Sequence, residues 1–160
     1  ASGGLAMVHY EVIDTTQDHI EELAETMAEA DIDEVWASSH RTPLEALLLS
    51  QTVTDDIQTG LADGEVVCIF GVSPLSILSG SGSPWMLSSD LLPKHSRVFA
   101  RGNKIWMEMQ KERWQSMTNH VDARNKRAIR WLKWMGFNFE EAKPHGAEKM
   151  PFHEFSWEQG

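Results

Sequence analysis

The chain has 160 residues, 41% of them hydrophobic and including seven Trp, six Phe and eight Met, which is one domain's length with enough apolar material for a packed core and excludes a disordered chain. Its formal net charge of -10 argues against general nucleic-acid affinity, and its single cysteine, Cys68, excludes a disulfide framework and a thiolate metal site. No apolar run approaches the ~20 residues needed to cross a bilayer, so a soluble protein of a reducing cytoplasm is expected.

The opening ASGGLA has neither a charged segment nor an apolar run. It reads as a cloning remnant ahead of a native start at Met7, leaving residues 7–160 as a single domain. VHYEVI (8–13) is short and β-branched and predicts a first strand. Thr16 is placed to cap a helix carrying Ile20, Leu23, Ala24, Met27 and Ala28 along one face, with acidic residues outside. RTPLEALLLSQTV predicts the next helix, with Thr42 as its cap and Pro43 at its first position. IQTGLA and the uninterrupted run Val66 to Val72 read as two strands around a turn at Asp63 and Gly64, the second strand buried on both faces with Cys68 as a small core residue. A Gly and Ser turn from Ser79 to Ser83 leads to a strand through Trp85, Met86 and Leu87, begun by Pro84.

From Pro93 a long helix is expected, with Val98, Gly102, Ile105, Trp106, Met109 and Arg113 on its packed side. The glycine predicts close approach of another element, since a mid-helix Gly costs roughly 1 kcal/mol. SMTNHVDA predicts a strand alternating Met117, Asn119 and Val121. Asn125 to Met135 predicts a helix stopped by Gly136, and either Trp131 or Trp134 must stay exposed or meet a partner. Two final strands, Phe137 to Ala142 and Pro151 to Trp157, flank the polar loop KPHGAEKM.

Charge is distributed unevenly along this order. Residues 1–65 hold fifteen Asp and Glu against the lone Arg41, whereas residues 66–160 hold nine against thirteen Lys and Arg. Two readings follow: helical faces of opposite sign that attract one another, or an anionic ligand on the later half. The seven scattered histidines have no metal-ligand spacing, so no metal site is expected.

The order β, α, α, β, β, β, α, β, α, β, β, together with Asn125, Ala128, Gly136 and Phe137, resembles the GNAT superfamily of acyltransferases. That resemblance implies an α/β (α+β) fold, with a mixed, mostly antiparallel sheet of about six or seven strands and about four helices on both faces. From Pro84 onward, PWMLSSD, NHVDARN, RAIRWLKWMGF and PFHEFSWE are similar to the phage family that includes the internal virion protein A of short-tailed phages. This second resemblance implies a virion-associated or assembly protein in the cytoplasm of a bacterial host or in the virion, with phage or host proteins as partners. An anti-defence protein that binds or modifies a host factor is a further reading of the acidic first half.

A GNAT enzyme implies acetyl-CoA or CoA as cofactor, but the residues departing from the family pattern commit the chain to no cofactor. The interval SSDLLPKHSRVFARG lacks the family's glycine pattern for pyrophosphate, and Pro93 removes a donor there. Ser88, Ser89, Lys94, Arg97 and Arg101 are the candidates for phosphate contact by another route, or else part of a solvated helix face. Leu132 stands where the family places its tyrosine acid. His120 and Asp122, on one face of a strand, are the candidate acid and base, with a structural pair as the alternative. Asn125 matches the residue that contacts the pantetheine arm and is equally suited to capping a helix. Two functions therefore stand against each other: a catalytically degenerate GNAT-fold protein acting through protein contacts, and an acetyl-CoA-dependent N-acyltransferase with an atypical cofactor loop. An open gap between the fourth and fifth strands favours the enzyme; a gap filled by side chains such as Trp85 or Trp131 favours the binding protein.

Overall fold

The computed structural model describes residues 7–160, and the expected remnant at residues 1–6 lies outside the described residues. The elements run β1 (Tyr10–Asp14), α1 (Gln17–Thr26), α2 (Glu29–Ser39), α3 (Pro43–Val53), β2 (Gln58–Ala62), β3 (Glu65–Ser76) and β4 (Ser81–Ser88). They continue with α4 (Leu92–Arg113), β5 (Ser116–Asp122), α5 (Lys126–Trp134), β6 (Asn138–Phe139), β7 (Lys143–His145) and β8 (Met150–Glu158). The strands join one sheet of order β1-β2-β3-β4-β5-β8-β6, with β7 paired to β8. Every pairing is antiparallel except β4 with β5.

Local signals start the helices as expected. The Thr16 hydroxyl accepts from the His19 amide at 3.2 Å while the His19 ring accepts from the Thr16 amide, and Thr42 with Glu45 makes the same reciprocal box ahead of Pro43. Gly136 takes φ 95° just past α5, a conformation that would strain a side chain.

Helices cover both faces of the sheet. Ile20 and Leu23 of α1 and Leu47 of α3 pack on Val66, Ile69 and Leu87, with Val35 of α2 at the margin. On the opposite face, Phe99 and Met107 of α4 and Ile129 and Trp131 of α5 pack on Phe70, Val72 and Met117. β3 from Val66 to Val72 is buried throughout, as its unbroken apolar run predicts. Burial pushes the Cys68 thiol up to about 12, so it behaves as a small core residue.

Several elements depart from the pattern read in the sequence. The described residues form eight strands and five helices. The unpredicted helix is α2, whose fully buried positions are Asp31 and Ala37, so its inner face carries little apolar signal. The loop KPHGAEKM supplies β7 and a turn whose amides cap α2, Ala147 N–H donating to Ser38 and Glu148 N–H to Ala37. β4 begins at Ser81, before Pro84. Proline is tolerated there because its backbone faces the side of β4 that has no partner strand at that point.

The packed side of α4 is Leu92, Phe99, Asn103, Met107 and Gln110. Val98, Ile105 and Met109, expected inside, are 42%, 66% and 60% exposed, and no atom of the described residues lies within 4 Å of where a Cβ on Gly102 would sit. Helix α4 thus carries two apolar stripes, of which the sheet covers one. Trp131 is buried and Trp134 half-exposed beneath the Lys104 ammonium, the division their spacing required.

Candidate functional site

Only Ser81 with Ser116 and Gly82 with Met117 are in register between β4 and β5. Beyond them the two parallel strands separate and leave a wedge-shaped gap in the middle of the sheet. A cavity of about 280 Å3 occupies it and reaches both faces, lined among others by Trp85, Asn103, Trp106, Asn119, His120 and Trp131. Side chains cross the gap in two places.

The first crossing is near its narrow end, where the Asn119 amide nitrogen donates to the Pro84 carbonyl at 2.8 Å. The second closes the wide end and comes from α2. Asp31 Oδ2 accepts from both the amide and the hydroxyl of Ser88, at 2.8 and 2.9 Å, while its Oδ1 accepts from Asn125 Nδ2 at 3.3 Å. Glu34 Oε1 accepts from the Asp122 amide at 2.9 Å and from Asn125 Nδ2 at 3.4 Å. Two carboxylates of one helix thereby tie the C-terminal ends of β4 and β5 to the start of α5. The segment entering α2 reinforces this closure, because Ala28 N–H donates to the Ser88 carbonyl and Met27 bridges Ser89.

This arrangement sets the protonation of the cluster. Burial pushes the Asp31 carboxyl upward, against the opposing hydrogen bonds from Ser88 and Asn125. Burial likewise raises Glu34 to about 8, with the neighbouring charges of Asp31 and Asp122 adding to it and the Asp122 amide opposing. For Asp122 burial acts in the same upward direction but is outweighed by the hydrogen bonds and charge of Arg124, bound through both carboxylate oxygens, and its pKa falls. A paired carboxylate whose pKa is lowered therefore sits beside Glu34, which holds its proton at neutral pH, and Asp31, whose burial shifts it upward.

The other sequence candidates take the following places. Ser88 is the partner of Asp31, and Ser89 is buried with its hydroxyl donating to the Val66 carbonyl. Arg97 and Arg101 are exposed on α4. Asn125 caps α5, its side-chain oxygen accepting from the Ala128 amide, and it also belongs to the carboxylate cluster. His120 lines the cavity with its ring stacked on His145 at 3.8 Å between centroids, while Asp122 turns to Arg124. The sequence reading did not single out Asp31 and Glu34. Their only signal was an acidic pair three residues apart in a segment without apolar periodicity.

The turn entering α4 has few donors to offer an anion. Leu91 N–H donates to the Ser89 hydroxyl, Leu92 N–H to the Ser89 carbonyl and Lys94 N–H to the Leu91 carbonyl, and Pro93 has none. The residues present do not fit the pyrophosphate of coenzyme A. Along β4, the Pro84 carbonyl and Ser88 amide point into the gap, so strand alternation turns the Met86 amide between them the same way. Among the described residues no group of three or more His, Cys, Asp or Glu is placed to hold a metal ion, and no helix is long and apolar enough to cross a membrane.

A central sheet split between parallel fourth and fifth strands, with a long crossover helix between them, defines the fold of the GNAT acetyltransferases. Solved structures agree. The chain superposes on Ard1 from Thermoplasma volcanium with a TM-score of 0.72 at 16% identity, covering 93% of this chain and 97% of that one. For spermidine N-acetyltransferase from Vibrio cholerae, solved with CoA and spermine, the TM-score is 0.67 at 10% identity, covering 94% and 95%. For an acetyltransferase of the GNAT family from Streptococcus pneumoniae it is 0.63 at 12% identity, covering 95% and 100%. No family model and no curated protein matches the sequence.

Proposed function

We propose that this GNAT-fold chain has lost the coenzyme A route and works through protein contacts, as a virion-associated or assembly protein of a bacteriophage. The observation carrying the first part is the carboxylate closure: Asp31 and Glu34 occupy the wide end of the gap and take up the Ser88 and Asp122 amides respectively. A pyrophosphate arriving there would find the Ser88 amide taken and, at the turn entering α4, the Leu91, Leu92 and Lys94 amides already donating within the chain. Leu132, in place of a proton donor, agrees with that loss. The phage assignment rests on the resemblance of PWMLSSD, NHVDARN, RAIRWLKWMGF and PFHEFSWE alone, to which no family model or curated protein adds a match.

Calorimetric titration with acetyl-CoA and with CoA at low salt, where phosphate contacts are least screened, tests the reading. No heat of binding at millimolar ligand is expected. Micromolar affinity would overturn it.

Two observations favour a second reading, an N-acyltransferase with an atypical grip on its cofactor: the gap between β4 and β5 holds a cavity of about 280 Å3, as the enzyme reading expects, and Glu34 stands in it. Glu34 lines the cavity with its pKa raised to about 8, matched to accepting a proton from an amine near neutral pH. Micromolar binding in the titration would move this reading to the front.

A further inference from the structure

The charge asymmetry of the sequence has a different meaning once folded. Helices α1, α2 and α3 together contain nine Asp and Glu and no Lys or Arg, whereas α4 and α5 contain ten Lys and Arg against two Glu. Asp31 and Glu34 reach the start of α5 through the gap, where Arg127 acts on Asp31, but the sheet separates the other seven acidic side chains of α1–α3 from the basic helices, so most of this charge is not paired within one molecule. Each face also exposes apolar side chains that its own sheet leaves uncovered.

On the acidic face, α3 is apolar on nearly every side. Leu47 is buried, while Leu44, Leu48, Leu49 and Val53 are 41%, 39%, 42% and 47% exposed, and Trp36 of α2 is 49% exposed. A helix apolar all round is normally covered on all sides. On the basic face, Val98, Ile105 and Met109 form the second stripe of α4 around Gly102, whose missing side chain leaves open space above the backbone. That glycine weakens the helix without any close contact among the described residues to justify it.

We infer that this protein binds a second copy of itself head to tail, the basic α4–α5 face of one molecule seated on the acidic α1–α3 face of the next. Charge complementarity selects the orientation, because a two-fold arrangement would bring basic face to basic face or acidic to acidic. The uncovered stripes supply the apolar centre of the contact, with charged residues around it. Such a contact uses different surfaces on the two partners, so it propagates beyond a dimer unless it closes into a ring. The inference goes beyond the proposed function and holds whether or not coenzyme A is bound.

Sedimentation velocity of the wild-type protein over about 1 µM to 1 mM tests it, at low and at high salt, together with the variants I105E on α4 and L48K on α3. The wild type is expected to grow past the dimer with concentration at low salt and to dissociate at least tenfold more readily at high salt. Each variant alone should stay monomeric, since each disables one of the two faces. Mixed in equal amounts they should form dimers that do not grow, because the acidic face of I105E and the basic face of L48K remain intact. R101E, at an exposed position where no packing is lost, should reproduce the behaviour of I105E. A wild type that stays monomeric at low salt, or a single variant that still dimerises, would overturn the inference.

Discussion

Replacing Glu34 by Gln should stabilise the protein at neutral pH and leave it unchanged in acid. The glutamine keeps the oxygen that accepts from the Asp122 and Asn125 nitrogens while removing a group that resists ionising in the fold. The carboxyl titrates near 4.5 when unfolded and near about 8 in the native cluster. Between those values the folded state holds a proton that the unfolded state has released. Wild-type stability therefore falls as pH rises through that window, and the contribution is complete only below the unfolded value. One pKa unit corresponds to about 1.4 kcal/mol, so at pH 7 the penalty relieved by E34Q has a ceiling of roughly 3 kcal/mol. For a chain of this size that is a rise of about 6–12 °C in Tm. Asp31 is present in both proteins and cancels to first order. Thermal and urea unfolding at pH 5 and pH 7.5 measures the difference. An E34Q protein less stable than wild type by the same margin at both pH values would mean that Glu34 is ionised in the fold and refute the reasoning.

Asn125→Ala removes the cap of α5 and leaves Asp31 and Glu34 each short of a donor. A loss of about 2–3 kcal/mol, read from the urea midpoint at unchanged m-value, is expected; a change below about 0.5 kcal/mol would deny the cluster its structural role. Two glycines should respond with opposite signs. A Cβ at Gly82 would lie 2.5 Å from Val72 Cγ1 and 2.9 Å from the Trp114 ring, so Gly82→Ala should cost about 1–3 kcal/mol. Gly102→Ala meets nothing within 4 Å and should stabilise the monomer by up to about 1 kcal/mol, measured by thermal unfolding.

Much of this architecture was legible because its causes are local. Thr16 and Thr42 bond amides three residues ahead, Gly136 adopts the backbone its position demands, and the Val66 to Val72 run needs cover on both sides wherever it lies. The candidate site was only half legible. Asn125 was visible as a cap and as a motif residue, but its partners Asp31 and Glu34 lie 94 and 91 residues away. Helix α2 was missed for the same reason: its buried face is polar, and polar residues reveal an inward orientation only through partners that the chain brings from elsewhere.

The sequence by itself determined the order of elements, the helix starts and stops, the buried central strand and the separation of charge along the chain, since each depends on neighbours within a few residues. Only the tertiary structure decided which of the two apolar stripes on α4 meets the sheet, because periodicity marks a stripe as apolar without saying what covers it. It also decided that β4 and β5 part after two registered pairs and that α2 carboxylates close the opening, since strand separation and buried-charge pairing depend on segments remote in sequence. The placement of the acidic and basic helices on opposite faces likewise follows from the sheet between them, which only the fold supplies.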